Sequence, residues 1–253
     1  MIKNIVFDMG QVLVSYVGNL VCQIYIEDEQ ERKDVSTSVF ASPEWILLDM
    51  GVMPEEEALK KMQERLDTER KREQAEWCFW HWHEYNMKPK EGMEELVRWL
   101  KSMGYGIYLC SNASVRLLKC YKEVIPAIDC FDGILISSEE GCKKPCAAFF
   151  TRLLERYGLD PARSIMVGND EFSDIAGAVG MGMDSLYLHT ATSPQPQGKY
   201  RPTYCVMDGD WGKVADILLS EKHTAACVDA KRPDRQHRKV ALVGDMRKKK
   251  KKT

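Results

Sequence analysis

No apolar run in this chain approaches the ~20 residues needed to span a bilayer, which excludes a transmembrane helix read from hydropathy. No paired C-x-x-C spacing occurs among the nine cysteines, and their odd, scattered count points to reduced thiols and a cytoplasmic setting rather than a disulfide framework. Cys142 and Cys146 flank Lys143-Lys144-Pro145 with no histidine nearby, so this pair is not read as a metal site. A dinucleotide fingerprint is absent as well: Gly177, Gly180 and Gly182 lack the strand-turn-helix order that such binding requires. The N-terminus offers Lys3 and then only a brief apolar stretch, so no secretory signal is expected there.

Charge is unevenly spread. From Glu221 to Thr253 there are 12 Lys/Arg against 4 Asp/Glu, while the whole chain carries a formal charge of −2, so the first 220 residues are acidic. An acidic body does not fit nucleic acid as a partner, and the basic tail, without interleaved aromatics, is expected to be solvated and disordered.

What is present begins with Ile5-Val6-Phe7, a short apolar run that reads as a buried parallel strand and ends on Asp8, with Gly10 allowing a turn. Further strands are expected at Gly106–Cys110, running into Ser111-Asn112, then at Ile134–Ile136, Ile165–Val167 and Leu186–Leu188. Amphipathic helices alternate with them: Met93, Leu96, Val97, Leu100 and Met103 share one face, a second helix covers Val115–Val124, and Ala147–Tyr157 is closed by Gly158. This alternation predicts an α/β fold, a doubly wound (Rossmann-like) parallel sheet.

The first strand ends at Asp8 and the next at Ser111, whereas a parallel crossover needs only about 30 residues. The surplus is helical and aromatic. Pro54 before Glu55, Glu56 and Glu57 starts a helix continued by Ala58, Leu59, Met62 and Leu66. Trp77, Phe79, Trp80, Trp82 and Tyr85 then form an aromatic cluster suited to packing helices together. The interspersed His81 and His83 stand two apart and face away from each other on a helix, which argues against a shared metal. The expected division is a core domain of residues 1–14 and 89–220, an inserted α-helical cap domain of residues 15–88, and a basic tail of residues 221–253. A cap entering and leaving beside the strand ends is placed to cover a site there.

Ligands of open α/β sheets bind outside the carboxyl ends of the strands. Standing there are Asp8, Ser111, Asn112, Lys144, Asp170 and Asp174. Taken singly, Asp174 is equally well a helix opener and Lys144 a solvated loop residue. Together, several carboxylates on one rim call for a cation, and Mg²⁺ suits all-oxygen ligation shared with water and phosphate. A lysine and a hydroxyl are then donors to phosphoryl oxygens, which is equipment for phosphoryl transfer.

These residues resemble the haloacid dehalogenase-like hydrolase superfamily, in its branch with a helical cap after the first motif. Asp8-Met9-Gly10-Gln11-Val12-Leu13 resembles its first motif, Ser111-Asn112 the second, Lys144-Pro145 the third, and Gly168-Asn169-Asp170 with Asp174 the fourth. The resemblance covers about residues 1–220. It implies a Mg²⁺-dependent phosphohydrolase of small phosphorylated metabolites. Asp8 would be the nucleophile that becomes an aspartyl-phosphate, and Lys144, rather than Lys143, would stabilise it. Ser111 would bind the phosphoryl group, whose charge Lys144 also meets, and Asn112 would help shape that substrate pocket. Asp8, the Gly10 carbonyl, Asp170 and Asp174 would serve the metal, Asp174 as ligand or behind one.

One departure stands out: phosphatases of this family usually carry a second aspartate where this chain has Gly10. That removes a general acid–base worth roughly 10²–10⁴-fold, and the amide Gln11 cannot replace it. The Gly-type motif is similar to that of sugar-phosphate phosphatases, and an anomeric or acyl phosphate, with its better leaving group, would tolerate the loss. A phosphotransferase or mutase of the same fold, and a phosphate-binding regulatory module weakened at Gly10, are the competing readings. A dehalogenase fits less well, since that branch carries an aromatic residue at the Gly10 position. Ser15, Tyr16 and Trp45, near the cap junctions, either touch substrate or pack.

Overall fold

The computed structural model describes residues 1–191, 193, 198–207 and 209–223. Six strands form one sheet: β1 (Asn4–Phe7), β4 (Gly106–Ser111), β5 (Gly133–Ile136), β6 (Ser164–Gly168), β7 (Asp184–Leu188) and β8 (Tyr204–Val206), in the order β5-β4-β1-β6-β7-β8. Every neighbouring pair is parallel, with Phe7 opposite Leu109 on one side and Val167 on the other. β1 is therefore central, and the strand order reverses beside it, the place where such sheets open a crevice.

Period-2 alternation sends the apolar residues of each strand to two different cores. Ile5, Phe7, Ile107, Leu109, Ile165 and Val167 pack with Val97 and Leu100 of α6 (Met93–Ser102), Leu117 of α7 (Leu117–Val124) and Val214 and Leu218 of α10 (Trp211–His223). Val6, Tyr108, Cys110, Leu135 and Met166 pack instead with Phe149, Phe150 and Leu153 of α8 (Ala147–Tyr157) and Ala178 of α9 (Gly177–Gly180). Helices thus cover both faces, which makes the sheet doubly wound.

Between β1 and β4 the chain leaves the sheet. β2 (Val14–Tyr16) and β3 (Met87–Pro89) pair antiparallel, with Ser15 opposite Lys88, and form the two-stranded neck of an all-helical insert. Five helices follow the neck: α1 (Leu20–Tyr25), α2 (Glu29–Phe40), α3 (Pro43–Asp49), α4 (Glu55–Gln63) and α5 (Glu69–Tyr85). Asp28, Ser42 and Thr68 cap α2, α3 and α5 by accepting from the backbone N–H groups of Glu31, Trp45 and Lys71. Along α5, Ala75, Cys78, Phe79 and Trp82 recur at helical spacing and are buried. Trp82 meets Trp45 edge-on at 5.4 Å and Tyr16 at 6.3 Å, so the aromatic cluster is packing between α3, α5 and the neck. His81 turns back to the Trp77 carbonyl at 2.8 Å.

The insert rests on the sheet at defined points. Gly51 (φ +68°) approaches so closely that a Cβ there would lie 1.8 Å from the Ser138 carbonyl oxygen. Arg116, just before α7, grips Glu55 of α4 through two nitrogens at 2.9 Å each and lies 4.5 Å over the Trp80 ring.

The eight cysteines among the described residues are all unpaired, and Cys227 lies outside them. No helix among the described residues is long and apolar enough to cross a membrane. α10 runs to His223, and the rest of the expected basic tail lies outside the described residues.

Candidate active site

Asp8 follows β1 directly, and its N–H donates to Val167 O at 2.9 Å, so its backbone is docked against β6. A tight loop comes next. Met9 O accepts from the N–H groups of Leu13 (2.9 Å) and Val14 (3.1 Å), and Gln11 stands at φ 59° with its amide nitrogen donating to Tyr16 O. Gly10 is not demanded by crowding, because a Cβ built there meets nothing within 4 Å. Its lack of a side chain is a chemical choice rather than a packing one.

Lys144 joins the ends of three strands. The loop after β5 brings it under the rim, where it is 2% exposed, and its Nζ donates to Asp8 Oδ1 at 2.6 Å and to Asp174 Oδ1 at 2.7 Å. Burial pulls the ammonium down, but the Asp174 and Asp8 carboxylates outweigh it, and the net direction is up. The charge is therefore permanent. Asn112 fixes the loop that carries it: its Oδ1 accepts from Lys144 N–H at 2.8 Å and its Nδ2 donates to Lys144 O at 3.1 Å.

After β6 the chain enters a π-helical segment, Glu171–Ala176. Asp170 caps it, with Oδ1 accepting from the N–H groups of Phe172 (2.9 Å) and Ser173 (2.6 Å). Asp174 points inward, is 1% exposed, and accepts at Oδ2 from Asp170 N–H at 3.0 Å. Gly168 makes room for it: a Cβ there would sit 2.3 Å from Asp174 Oδ2.

Asp8, Ser111, Asn112, Lys144, Asp170 and Asp174 all stand at the carboxyl ends of β1, β4, β5 and β6, as the sequence leads one to expect. Two of them make their contacts within the protein. Both Asp174 oxygens are held inside the protein, by Lys144 and by the Asp170 backbone, which, of the two expected roles, fits a place behind a ligand. Asn112 engages the Lys144 backbone with both ends of its amide, and it also lines the cleft. Ser111 ends β4 at 1% exposure.

A cleft of about 660 Å³ opens beside these residues, lined by Asn112, Lys143, Lys144, Asp170 and Ser173 from the sheet side and Met50 from the insert. Among the described residues no three His, Cys, Asp or Glu side chains cluster closely enough to hold a metal by themselves. Mg²⁺ asks for less, since it keeps waters and takes one or two carboxylates plus phosphate. Asp8 and Asp170, at the ends of adjacent strands, with the Gly10 carbonyl, match that donor set.

No motif singles out Asp49, which stands beside Met50 at the end of α3. A signal existed: an acid closing a helix opposes the negative end of its dipole, and residues that break a local rule tend to be functional.

A family model for haloacid dehalogenase-like hydrolases matches residues 2–182. A sesquiterpene phosphatase of Aspergillus oryzae is 24% identical over 74% of this chain and 89% of its own length. A glyceraldehyde 3-phosphate phosphatase of Pyrococcus furiosus is 32% identical, but over 51% of this chain and 50% of its own, and a ribulose-1,5-bisphosphate 5-phosphatase of Halopiger xanaduensis is 32% identical over 38% and 39%. Among solved structures, a magnesium-bound HAD-hydrolase of Bacillus subtilis superposes with a TM-score of 0.62, covering 86% of this chain and 98% of that one at 15% identity. A dehalogenase reaches 0.65, covering 86% and 97% at 16% identity. At such identities these two structures share the fold alone.

Proposed function

Since the chain belongs to the haloacid dehalogenase-like hydrolases, we propose that it is a phosphohydrolase of small phosphorylated metabolites working through Asp8. The observation that carries this is the buried Lys144 ammonium shared between Asp8 and Asp174. It holds one Asp8 oxygen in place and supplies fixed positive charge where a phosphoryl group would meet the nucleophile. The named phosphatases among the relatives support the reading, as does a cleft within the range of small-metabolite sites.

In this reading an Asp8 oxygen attacks phosphorus, the bond to the leaving oxygen breaks, and water then hydrolyses the aspartyl-phosphate. The Ser111 hydroxyl donates to the phosphoryl oxygens. Asn112 and Asp174 touch no substrate; they fix the loop and the ammonium of Lys144. Asp8, Asp170 and the Gly10 carbonyl would hold Mg²⁺, which when bound neutralises phosphoryl charge. Residues 15–88 act as a cap that closes over the cleft and sets specificity.

A phosphate-release panel of sugar phosphates, other alkyl phosphates and acyl phosphates tests this, run with Mg²⁺ and with a chelator. Turnover that needs the metal and vanishes in Asp8→Asn supports it. Transfer to an acceptor hydroxyl without phosphate release would make the protein a phosphotransferase instead.

A further inference from the structure

Gly10 leaves the leaving-group oxygen without a proton donor from the first motif, yet a carboxyl stands next to a cleft-lining residue on the side of the insert. Asp49 closes α3 immediately before Met50, which lines the cleft. The end of α3 is pinned in place, because the Asp49 carbonyl accepts from Ser137 Oγ and Gly51 presses on Ser138. Half-buried there, the Asp49 carboxylate makes no hydrogen bond and no ion pair within the described residues. The group whose charge bears on it is Lys143, on the loop that carries Lys144, and its own charge in turn helps keep the neighbouring Tyr16 phenol of the neck neutral. A carboxyl that holds nothing together but sits against the site, between cap and core, is kept for something else.

We propose that Asp49 is the general acid–base of this enzyme, delivered by the helical cap in place of the side chain that Gly10 lacks. This rests on the hydrolase reading above and deepens it. As Asp8 attacks phosphorus and the bond to the leaving oxygen breaks, the Asp49 carboxyl gives that oxygen its proton and the alcohol departs. The resulting carboxylate then takes a proton from the water that attacks the phosphorus of the aspartyl-phosphate. Asp8 is released as a carboxylate, inorganic phosphate leaves, and Asp49 is protonated again. Burial pushes the Asp49 carboxyl up to about 7, against the opposing pull of Lys143, so near neutrality it serves as acid and base in turn. The substrate then needs no unusually good leaving group, and ordinary alkyl phosphates fall within reach.

The test compares the full chain with Asp49→Asn, Asp8→Asn and the double variant Gly10→Asp/Asp49→Asn on two Mg²⁺-supplemented substrates. One is an alkyl phosphate and the other p-nitrophenyl phosphate, whose phenolate leaves unaided. The expected result is a loss in kcat of about 10²–10⁴-fold for Asp49→Asn on the alkyl phosphate. KM should hardly move, the single-turnover release of p-nitrophenolate should be nearly spared even though its steady turnover slows at the shared hydrolysis of the aspartyl-phosphate, and the double variant should regain part of the loss. An equal loss in single-turnover release of the two leaving groups, or no loss on the alkyl phosphate, would overturn the role of Asp49 while leaving the hydrolase reading intact. Full activity in Asp8→Asn, or no hydrolysis of either substrate by the unaltered protein, would overturn the hydrolase reading and this inference with it.

Discussion

Lys144 is the residue on which the site's electrostatics turn, because it is an ammonium almost out of solvent with a carboxylate on either side. Breaking a buried pair by removing one partner costs about 3–5 kcal/mol. Lys144→Met should therefore lower unfolding stability by that order in a urea titration and abolish phosphate release. Gly168→Ala should act through the same contact, since its new methyl would lie where Asp174 is, at 2.3 Å from Oδ2. Relief of that clash should cost about 1–3 kcal/mol and pull Asp174 away from Lys144; unchanged activity in this variant would show that the contact is dispensable. At Gly10 the surroundings are open, so Gly10→Asp should fold with unchanged stability, and its rate on alkyl phosphates should equal or exceed that of the parent. The identity of the acids and of the lysine was legible from motifs at strand ends. Which oxygen faces which partner was not: Asp174 turns inward through a π-helical segment, and the Asn112 amide folds onto Lys144, and neither geometry leaves a trace in residue spacing.

At the scale of elements, long periodic segments announced themselves and short ones did not. α6 and α8 show their apolar faces over three turns, and five of the six strands of the sheet, all but the edge strand β8, read as apolar runs. β2 and β3 have three residues each, and α1 and α3 fewer than two turns, so no period can be recognised in them. Those short pieces nonetheless decide how the insert meets the sheet. The clasp between Arg116 and Glu55 belongs to the same junction, with side chains 7% and 15% exposed. Glu55→Gln should loosen the helical insert, because the guanidinium loses its charged partner while retaining only Trp80. The expected outcome is faster limited proteolysis within residues 15–88 and a raised KM with kcat less affected. Equal proteolysis of variant and parent would mean that the clasp does not hold the insert down.

For the molecule as a whole, the fold class followed from alternation and the inserted helices from the surplus between Asp8 and Ser111, whereas the contribution of Asp49 required the two halves to be seen together. Asp49 also links stability to pH. Its carboxyl titrates near 7 in the folded protein and in the ordinary carboxylate range when unfolded, so the folded state binds the extra proton in between. The stability this confers is present in full below about pH 4 and is lost as pH rises to about 7. Subtracting the pH–stability curve of Asp49→Asn from that of the parent should reveal that slope; parallel curves would place the Asp49 carboxyl in an ordinary, solvated setting. The central claim is that Asp8, held by Lys144, takes the phosphoryl group from substrate. It is tested most directly by acid-quenching the Mg²⁺-supplemented protein during turnover and weighing its peptides by mass spectrometry. The account predicts one phosphoryl group on the peptide containing Asp8, and none in Asp8→Asn, which should also release no phosphate. Steady phosphate release by Asp8→Asn, with no phosphopeptide in either protein, would contradict it.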